Sequence, residues 1–186
     1  MKFSKFLKVK IFFILIFSQF IFNVSKANAA EEIKIIYSIF SRTIKVNSLK
    51  TFAKEGNSTR NLRRILRATK TPDEEIRSVL NKDFEVPITI ASKLIYSQVG
   101  NVFLTRLSSI IHPPFANDER TGMLALRASV IQGIKIGNGK INMINFFEGY
   151  PTKTLILDVN ALSKVMSKVE SISELLDFFT NSPLEK

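Results

Sequence analysis

The chain of 186 residues contains no cysteine and a single histidine, His112. Without cysteine there can be no disulfide, no thiol nucleophile, no zinc–cysteine site and no iron–sulfur cluster. Only oxygen ligands remain for a metal ion, and the acidic clusters at 73–75 and 118–119 lack the spacing of a calcium-binding loop. We therefore predict neither a metal site nor a bound cofactor.

The motifs of a covalent hydrolase are also missing. The sequence has no Gly-x-Ser-x-Gly motif, which places the nucleophilic serine of an α/β-hydrolase on a strained turn. A Ser-His-acid triad could use only His112, which lies beside Pro113 and close in sequence to Ser108 and Ser109. A simpler interpretation is a histidine at a helix end that interacts with free carbonyl groups. We predict no catalytic residue.

Residues 1–29 have the composition of a cleavable signal peptide. An apolar run over 11–22 ends in the small-residue segment Ala27-Asn28-Ala29, and it is preceded by Lys2, Lys5, Lys8 and Lys10. Small residues at positions −3 and −1 predict cleavage after Ala29. An uncleaved membrane anchor is the alternative, but the run is shorter than the roughly 20 residues that span a bilayer. We expect an exported protein, located in the periplasm or thylakoid lumen or secreted.

Cleavage would leave residues 30–186, a length typical of one domain. The whole chain has 27 basic and 16 acidic residues, a net charge of +11, but five lysines belong to the leader, so the remainder carries +6. This modest charge, together with export, argues against nucleic acid as a partner. We predict a single helix-rich domain, and the sequence leaves its oligomeric state open.

Hydrophobic periodicity predicts an α+β fold that is mostly α-helical. Two strands are predicted over 33–40 and 42–46, and a third over 154–159. We expect about six helices, together with a small sheet of about three strands from the two ends of the mature chain. The segments 88–96 and 99–111 are predicted to form two of these helices, and the apolar segment 123–136 a central buried one.

Short polar side chains and a glycine mark the predicted helix boundaries. Gly56 is expected to end the first helix in a left-handed conformation. The predicted N-terminal caps are Asn47 or Ser48, Ser58 or Thr59, Thr71 ahead of Pro72, and Asn160.

A basic face is predicted on the second helix. Its apolar side consists of Leu62, Ile65 and Leu66. The other side carries four arginines, and no acid occurs from 57 to 71: Arg60, Arg63, Arg64 and Arg67. Such a face could contact an anionic membrane surface or an acidic envelope protein, although simple exposure to solvent also explains it. Without interleaved aromatic residues, it does not favour nucleic acid.

Four stretches in order carry a family resemblance: 48–56 (SLKTFAKEG), 94–104 (LIYSQVGNVFL), 125–129 (ALRAS) and 144–157. Together they resemble the N-terminal region of a cyanobacterial family of α/β-hydrolases of unknown function. In longer members this region precedes the hydrolase domain, which contains the nucleophile elbow. The chain ends at Lys186, so the resemblance implies an accessory domain without the hydrolase domain, and it transfers no catalytic residue.

Three functional hypotheses follow. The first is a non-catalytic, exported interaction domain that contacts another envelope protein or an anionic membrane surface. The second is a protein that binds an apolar ligand such as a lipid between the helices of 88–111 and the helix of 123–136. The third is a cryptic hydrolase activity, implied by the family resemblance and dependent on His112.

Overall fold

The computed structural model describes residues 29–69, 72–116 and 118–166. Nearly all of the predicted signal peptide, the predicted cap Thr71 and the distal part of the last predicted helix lie outside these residues. Within them the fold is α+β and mostly helical, as the sequence predicts, with eight helices and six strands.

The strands are β1 (Glu32–Tyr37), β2 (Phe40–Lys45), β3 (Phe84–Glu85), β4 (Ile111–His112), β5 (Lys140–Ile141) and β6 (Thr154–Asp158). The helices are α1 (Val46–Glu55), α2 (Arg60–Thr69), α3 (Asp73–Asn81), α4 (Ile88–Ile95), α5 (Gln98–Leu107), α6 (Glu119–Ile136), α7 (Met143–Glu148) and α8 (Val159–Met166).

The main sheet has the strand order β2-β1-β6-β4. β1 and β2 form an antiparallel hairpin with Ile33 opposite Ile44, and β1 runs parallel to β6 with Ile33 opposite Leu155. The three strands predicted from the two sequence ends are therefore present. β4 adds a fourth, antiparallel to β6 with Ile111 opposite Leu157, and β3 and β5 form a separate two-stranded sheet.

The core lies between the main sheet and the helices. Ile33, Ile44 and Leu155 from the sheet are buried with Phe52 of α1 and Leu126 of α6. Helix α6 packs against α4, α5, α7 and β4, which confirms the prediction of a central, buried helix. Its one fully buried hydroxyl, that of Ser129, donates to the Phe146 carbonyl, so no polar atom of that side chain is left without a partner.

The hairpin turn lies at Ser38–Ile39, three residues earlier than Ser41–Arg42, where the predicted strands over 33–40 and 42–46 meet. Ser38 adopts a positive φ of 53°, and its amide donates to Asn160 Oδ1 at 2.7 Å. The turn is therefore contacted by a residue 122 positions away, which local sequence patterns do not report.

Two predicted helix caps are wrong. β2 continues directly into α1, and the Val46 amide donates to the Glu31 carbonyl, so Asn47 lies inside the helix. At α8, Asp158 rather than Asn160 caps the helix, because Asp158 Oδ1 accepts from the amides of Asn160 and Ala161. Two boundaries are as predicted: Thr59 Oγ1 accepts from the Leu62 amide, and Gly56 ends α1 with φ 76°.

The segment between α5 and α6 also departs from its prediction. α5 ends at Leu107, and residues 111–112 become a strand because β6 offers them a partner. α6 begins at Glu119 rather than at 123, since Asp118 Oδ1 accepts from the Thr121 amide at 2.6 Å and caps the helix. In the described part of the chain, no helix has the length and apolar character needed to span a bilayer.

Candidate functional site

The four predicted arginines lie on the solvent-exposed side of α2, and all four side chains are exposed. Leu62 and Leu66 on the opposite side are buried in the core and hold the helix in place. Because residues three and four apart lie on one side of a helix, the guanidinium groups share a single face. We call Arg60, Arg63, Arg64 and Arg67 the arginine face.

Among the residues that the structure describes, no carboxylate pairs with the arginine face. Arg63 folds back onto Ser58, where Nε donates to the hydroxyl at 3.2 Å and Nη2 donates to the carbonyl at 3.1 Å. The ion pairs of the described residues all lie elsewhere: Lys50–Glu148, Arg77–Glu74, Lys140–Glu85 and Lys153–Glu31. Within the part of the chain that the structure describes, the positive charge of the face is therefore not compensated.

The basic charge is concentrated in one continuous segment, residues 33–69, which comprises β1 beyond Glu32, β2, α1 and α2. It has nine lysines and arginines and a single acid, Glu55, for a net charge of +8. Residues 30–186 carry only +6, so those of them outside this segment are together slightly acidic. An asymmetric charge distribution of this kind orients a protein toward an anionic surface.

A cleft of about 420 Å³ lies between the end of the hairpin and the start of α2. Its lining includes the cations Lys45 and Arg60 and the hydroxyls of Thr43, Ser48 and Thr59. Glu32 is the one acid in this lining. The basic groups of the hairpin and of α2 therefore meet at this cleft.

A second cleft, of about 310 Å³, brings together residue types found in hydrolytic triads. It is lined by Ser108, Ser109, His112, Ala116, Asp118 and Glu119. Here the Ser108 hydroxyl donates to the Thr105 carbonyl at 2.5 Å, and the Ser109 hydroxyl donates to the Arg106 carbonyl at 2.7 Å. Both serines are therefore engaged by backbone groups of the preceding helix.

His112 does not occupy the helix end that the sequence suggested. It lies in β4, and its Nδ1 is 3.0 Å from the Pro113 carbonyl. Within the described ranges, no hydrogen bond joins His112 to a serine hydroxyl or to a carboxylate. The hydrogen bond from the Thr121 amide lowers the pKa of Asp118, which fits its role as a charged helix cap. Nor do the described residues contain a cluster of three acidic or histidine side chains that could hold a metal ion.

The space predicted for an apolar ligand is occupied by core side chains. Ile95 of α4, Leu104 of α5 and Leu126 of α6 are all buried there. The α4–α5 junction is also close-packed, since a Cβ atom at Gly100 would lie 2.0 Å from the Leu94 carbonyl oxygen. The helices on either side of the predicted site are therefore in direct contact.

One exposed apolar feature was not identified from the sequence. At the hairpin tip, Tyr37, Ile39 and Phe40 are 60%, 89% and 59% exposed. The prediction of a strand over 33–40 concealed it, because the turn was placed three residues too late. We call Tyr37, Ile39 and Phe40 the hairpin tip.

Comparison with known proteins identifies one relationship. The model of a family described as alpha/beta hydrolase of unknown function (DUF1400) matches residues 29–158, which is most of the chain. No curated protein and no solved structure matches. The chain belongs to this family of alpha/beta hydrolases of unknown function.

Proposed function

We propose that the chain is an exported, non-catalytic interaction domain that docks on an anionic partner through the arginine face. The observation that carries the proposal is four exposed guanidinium groups on one ten-residue helix, with no carboxylate partner among the described residues. Like charges three and four residues apart on a helix repel one another and destabilise it slightly. An external anionic partner would remove that repulsion.

The choice of arginine supports a binding role for this face. Guanidinium groups form two parallel hydrogen bonds to a carboxylate or a phosphate, which lysine cannot do. Arg63 is already oriented by Ser58, which reduces the side-chain entropy lost on binding. The rest of the basic segment, residues 33–69 without these four arginines, carries a net charge of +4 and would add to the attraction of an anionic partner.

Two observations support a role without catalysis, although the family name includes hydrolase. The sequence has no Gly-x-Ser-x-Gly motif. In the cleft that contains His112, the serine hydroxyls donate to helix carbonyls instead of to the imidazole. Export is supported by the lysine-headed apolar leader and its small-residue cleavage site at 27–29.

The test compares two variants with the same change in total charge. In the first, Arg60, Arg63, Arg64 and Arg67 are all replaced by Glu. The matched control carries Lys82→Glu, Lys93→Glu, Arg120→Glu and Lys135→Glu, four exposed positions outside the basic segment. Binding is measured to two probes, immobilised polyglutamate and vesicles that contain phosphatidylglycerol.

We expect the arginine variant to bind both probes about a hundredfold more weakly than the unmodified chain, since each basic residue near an anionic surface contributes several-fold to affinity. The control should lose only a few-fold. Equal losses in the two variants would show that total charge, and not the arginine face, governs binding, and the proposal would then be wrong.

A further inference from the structure

We propose that the anionic partner of the arginine face is a lipid bilayer, into which the hairpin tip inserts Tyr37, Ile39 and Phe40. This inference rests on the proposed function and specifies its partner. It combines two features of the same segment, an apolar tip and a basic flank.

The tip extends the apolar side of the hairpin beyond the core. Tyr37 lies directly opposite Phe40 in the last pair of the β1–β2 ladder. Side chains two residues apart on a strand share a face, so Tyr37 and Phe40 lie on the same side of the sheet as buried Ile33 and Ile44. In contrast to that buried pair, Tyr37 and Phe40 remain exposed, and Ile39 in the turn is 89% exposed.

The turn is held in position before any partner binds. The Ser38 amide donates to Asn160 Oδ1 at 2.7 Å, which ties the tip to the start of α8. The hairpin is also paired along its full length, from Glu32 with Lys45 to Tyr37 with Phe40. Little conformational entropy would therefore be lost when the tip inserts into the bilayer.

The charges around the tip match those of an anionic bilayer surface. Behind the tip, Arg42 lies two residues from Phe40 and Lys34 lies three residues from Tyr37, and both are exposed. Lys45 lies at the far end of the hairpin, opposite Glu32. Aromatic and aliphatic side chains enter the boundary between headgroups and acyl chains, while neighbouring cations attract anionic headgroups. An acidic protein would satisfy the charges of the segment but would also need an apolar pocket shaped for three large side chains, whereas a bilayer accepts them without a specific fit.

Phe115 offers an internal comparison. It is 95% exposed, also in a turn with positive φ, but the nearest charged residues along the chain are Asp118 and Glu119. These two acids would be repelled by an anionic bilayer. Exposure alone therefore does not distinguish the two positions, whereas the neighbouring charge does.

The absence of cysteine makes a direct test possible, because one introduced thiol can be labelled uniquely. Ile39→Cys and, as the control, Phe115→Cys are labelled with a polarity-sensitive fluorophore. Each is then titrated with vesicles of phosphatidylglycerol and phosphatidylcholine, and with vesicles of phosphatidylcholine alone. We expect a blue shift at position 39 with the anionic vesicles and none at position 115.

A double variant, Ile39→Ser with Phe40→Ser, provides the second measurement. Removal of two large apolar side chains should weaken vesicle binding by about tenfold or more, while polyglutamate binding stays unchanged. The residues are exposed, so we expect the variant to fold, and the single labelled sites test the same insertion independently of it.

The outcomes separate this inference from the proposed function. If the arginine variant loses vesicle binding but the label at position 39 does not shift, insertion is wrong and the arginine face still docks by charge alone. If the unmodified chain binds polyglutamate but not vesicles, the partner is an acidic protein and the bilayer is excluded. A label that is already shielded in the free protein would show that the chain itself or a second copy covers the tip, which would also overturn the inference.

Discussion

The guanidinium carbon of Arg127 lies 4.6 Å from the centre of the Tyr96 ring. Arg127 belongs to α6 and is only 9% exposed, and Tyr96 follows the last residue of α4. Arg127 Nε also donates to the Ile95 carbonyl at 3.0 Å, and Nη2 donates to Asn101 Oδ1. No carboxylate among the described residues neutralises this cation. Two carbonyl oxygens and an aromatic ring stabilise its charge instead. One side chain thereby joins three helices.

We predict that Arg127→Met lowers the free energy of unfolding by about 2 kcal/mol, because the Ile95 carbonyl and Asn101 lose their donor. Arg127→Lys should also destabilise, since an ammonium group cannot reproduce the planar arrangement of donors. Chemical denaturation measures both variants against Arg120→Met, an exposed position on the same helix that should change stability by less than about 0.5 kcal/mol. Similar values for positions 127 and 120 would contradict the role given to Arg127.

The buried hydroxyl of Tyr150 supports a prediction about pH. It finds no hydrogen-bond partner among the described residues, and burial raises the pKa of Tyr150 well above its ordinary value. Tyr150→Phe should therefore increase the free energy of unfolding by about 1 kcal/mol at neutral pH, because it removes an unsatisfied polar group.

The difference in the free energy of unfolding between the Tyr150→Phe variant and the unmodified protein should grow at alkaline pH. Above about pH 10 the Tyr150 hydroxyl loses its proton in the unfolded chain, whereas in the folded protein the hydroxyl stays protonated. The folded state then binds more protons, so the unmodified protein loses stability as pH rises, a loss absent from the Tyr150→Phe variant. Urea denaturation at neutral pH and at pH above about 10 measures this difference, and an unchanged difference would show that the hydroxyl is not buried.

Local sequence signals predicted those features of the fold that depend on neighbouring residues. Gly56 adopts the left-handed conformation that ends α1, and Thr59 caps α2, because each needs only a few adjacent residues to do so. The arginine face was predictable for the same reason, since helical spacing alone places Leu62 and Leu66 opposite the four arginines.

Features that depend on distant partners were not predictable. Ile111 and His112 become a strand only because Leu157 and Ile156 of β6 lie beside them. Asparagine is a common helix cap, but the Asn160 side chain instead accepts a hydrogen bond from the Ser38 amide in the hairpin turn. The turn therefore contacts a residue far away in the sequence, which the local pattern does not report.

The cleft that contains His112 allows a direct test of catalysis. We expect the unmodified chain and His112→Ala to show the same background rates on a panel of ester and peptide substrates, because no described serine hydroxyl is bonded to the imidazole. A rate that is reproducible and is lost in the His112→Ala variant would contradict the non-catalytic assignment.

The leader supports a prediction about the native protein. Cleavage after Ala29 should give a chain that begins at Ala30, whose side chain is buried in the folded domain. N-terminal sequencing of protein isolated from its own cell measures this directly. Recovery of Met1 would instead indicate a retained anchor and would contradict export as a processed domain.

The most direct test of the arginine face is the ratio of two affinities for phosphatidylglycerol vesicles, measured at one ionic strength for the two equal-charge variants. With the four arginines of α2 reversed, binding should be at least about tenfold weaker than with Lys82, Lys93, Arg120 and Lys135 reversed. A ratio near one would contradict the assignment of α2 as the contact surface.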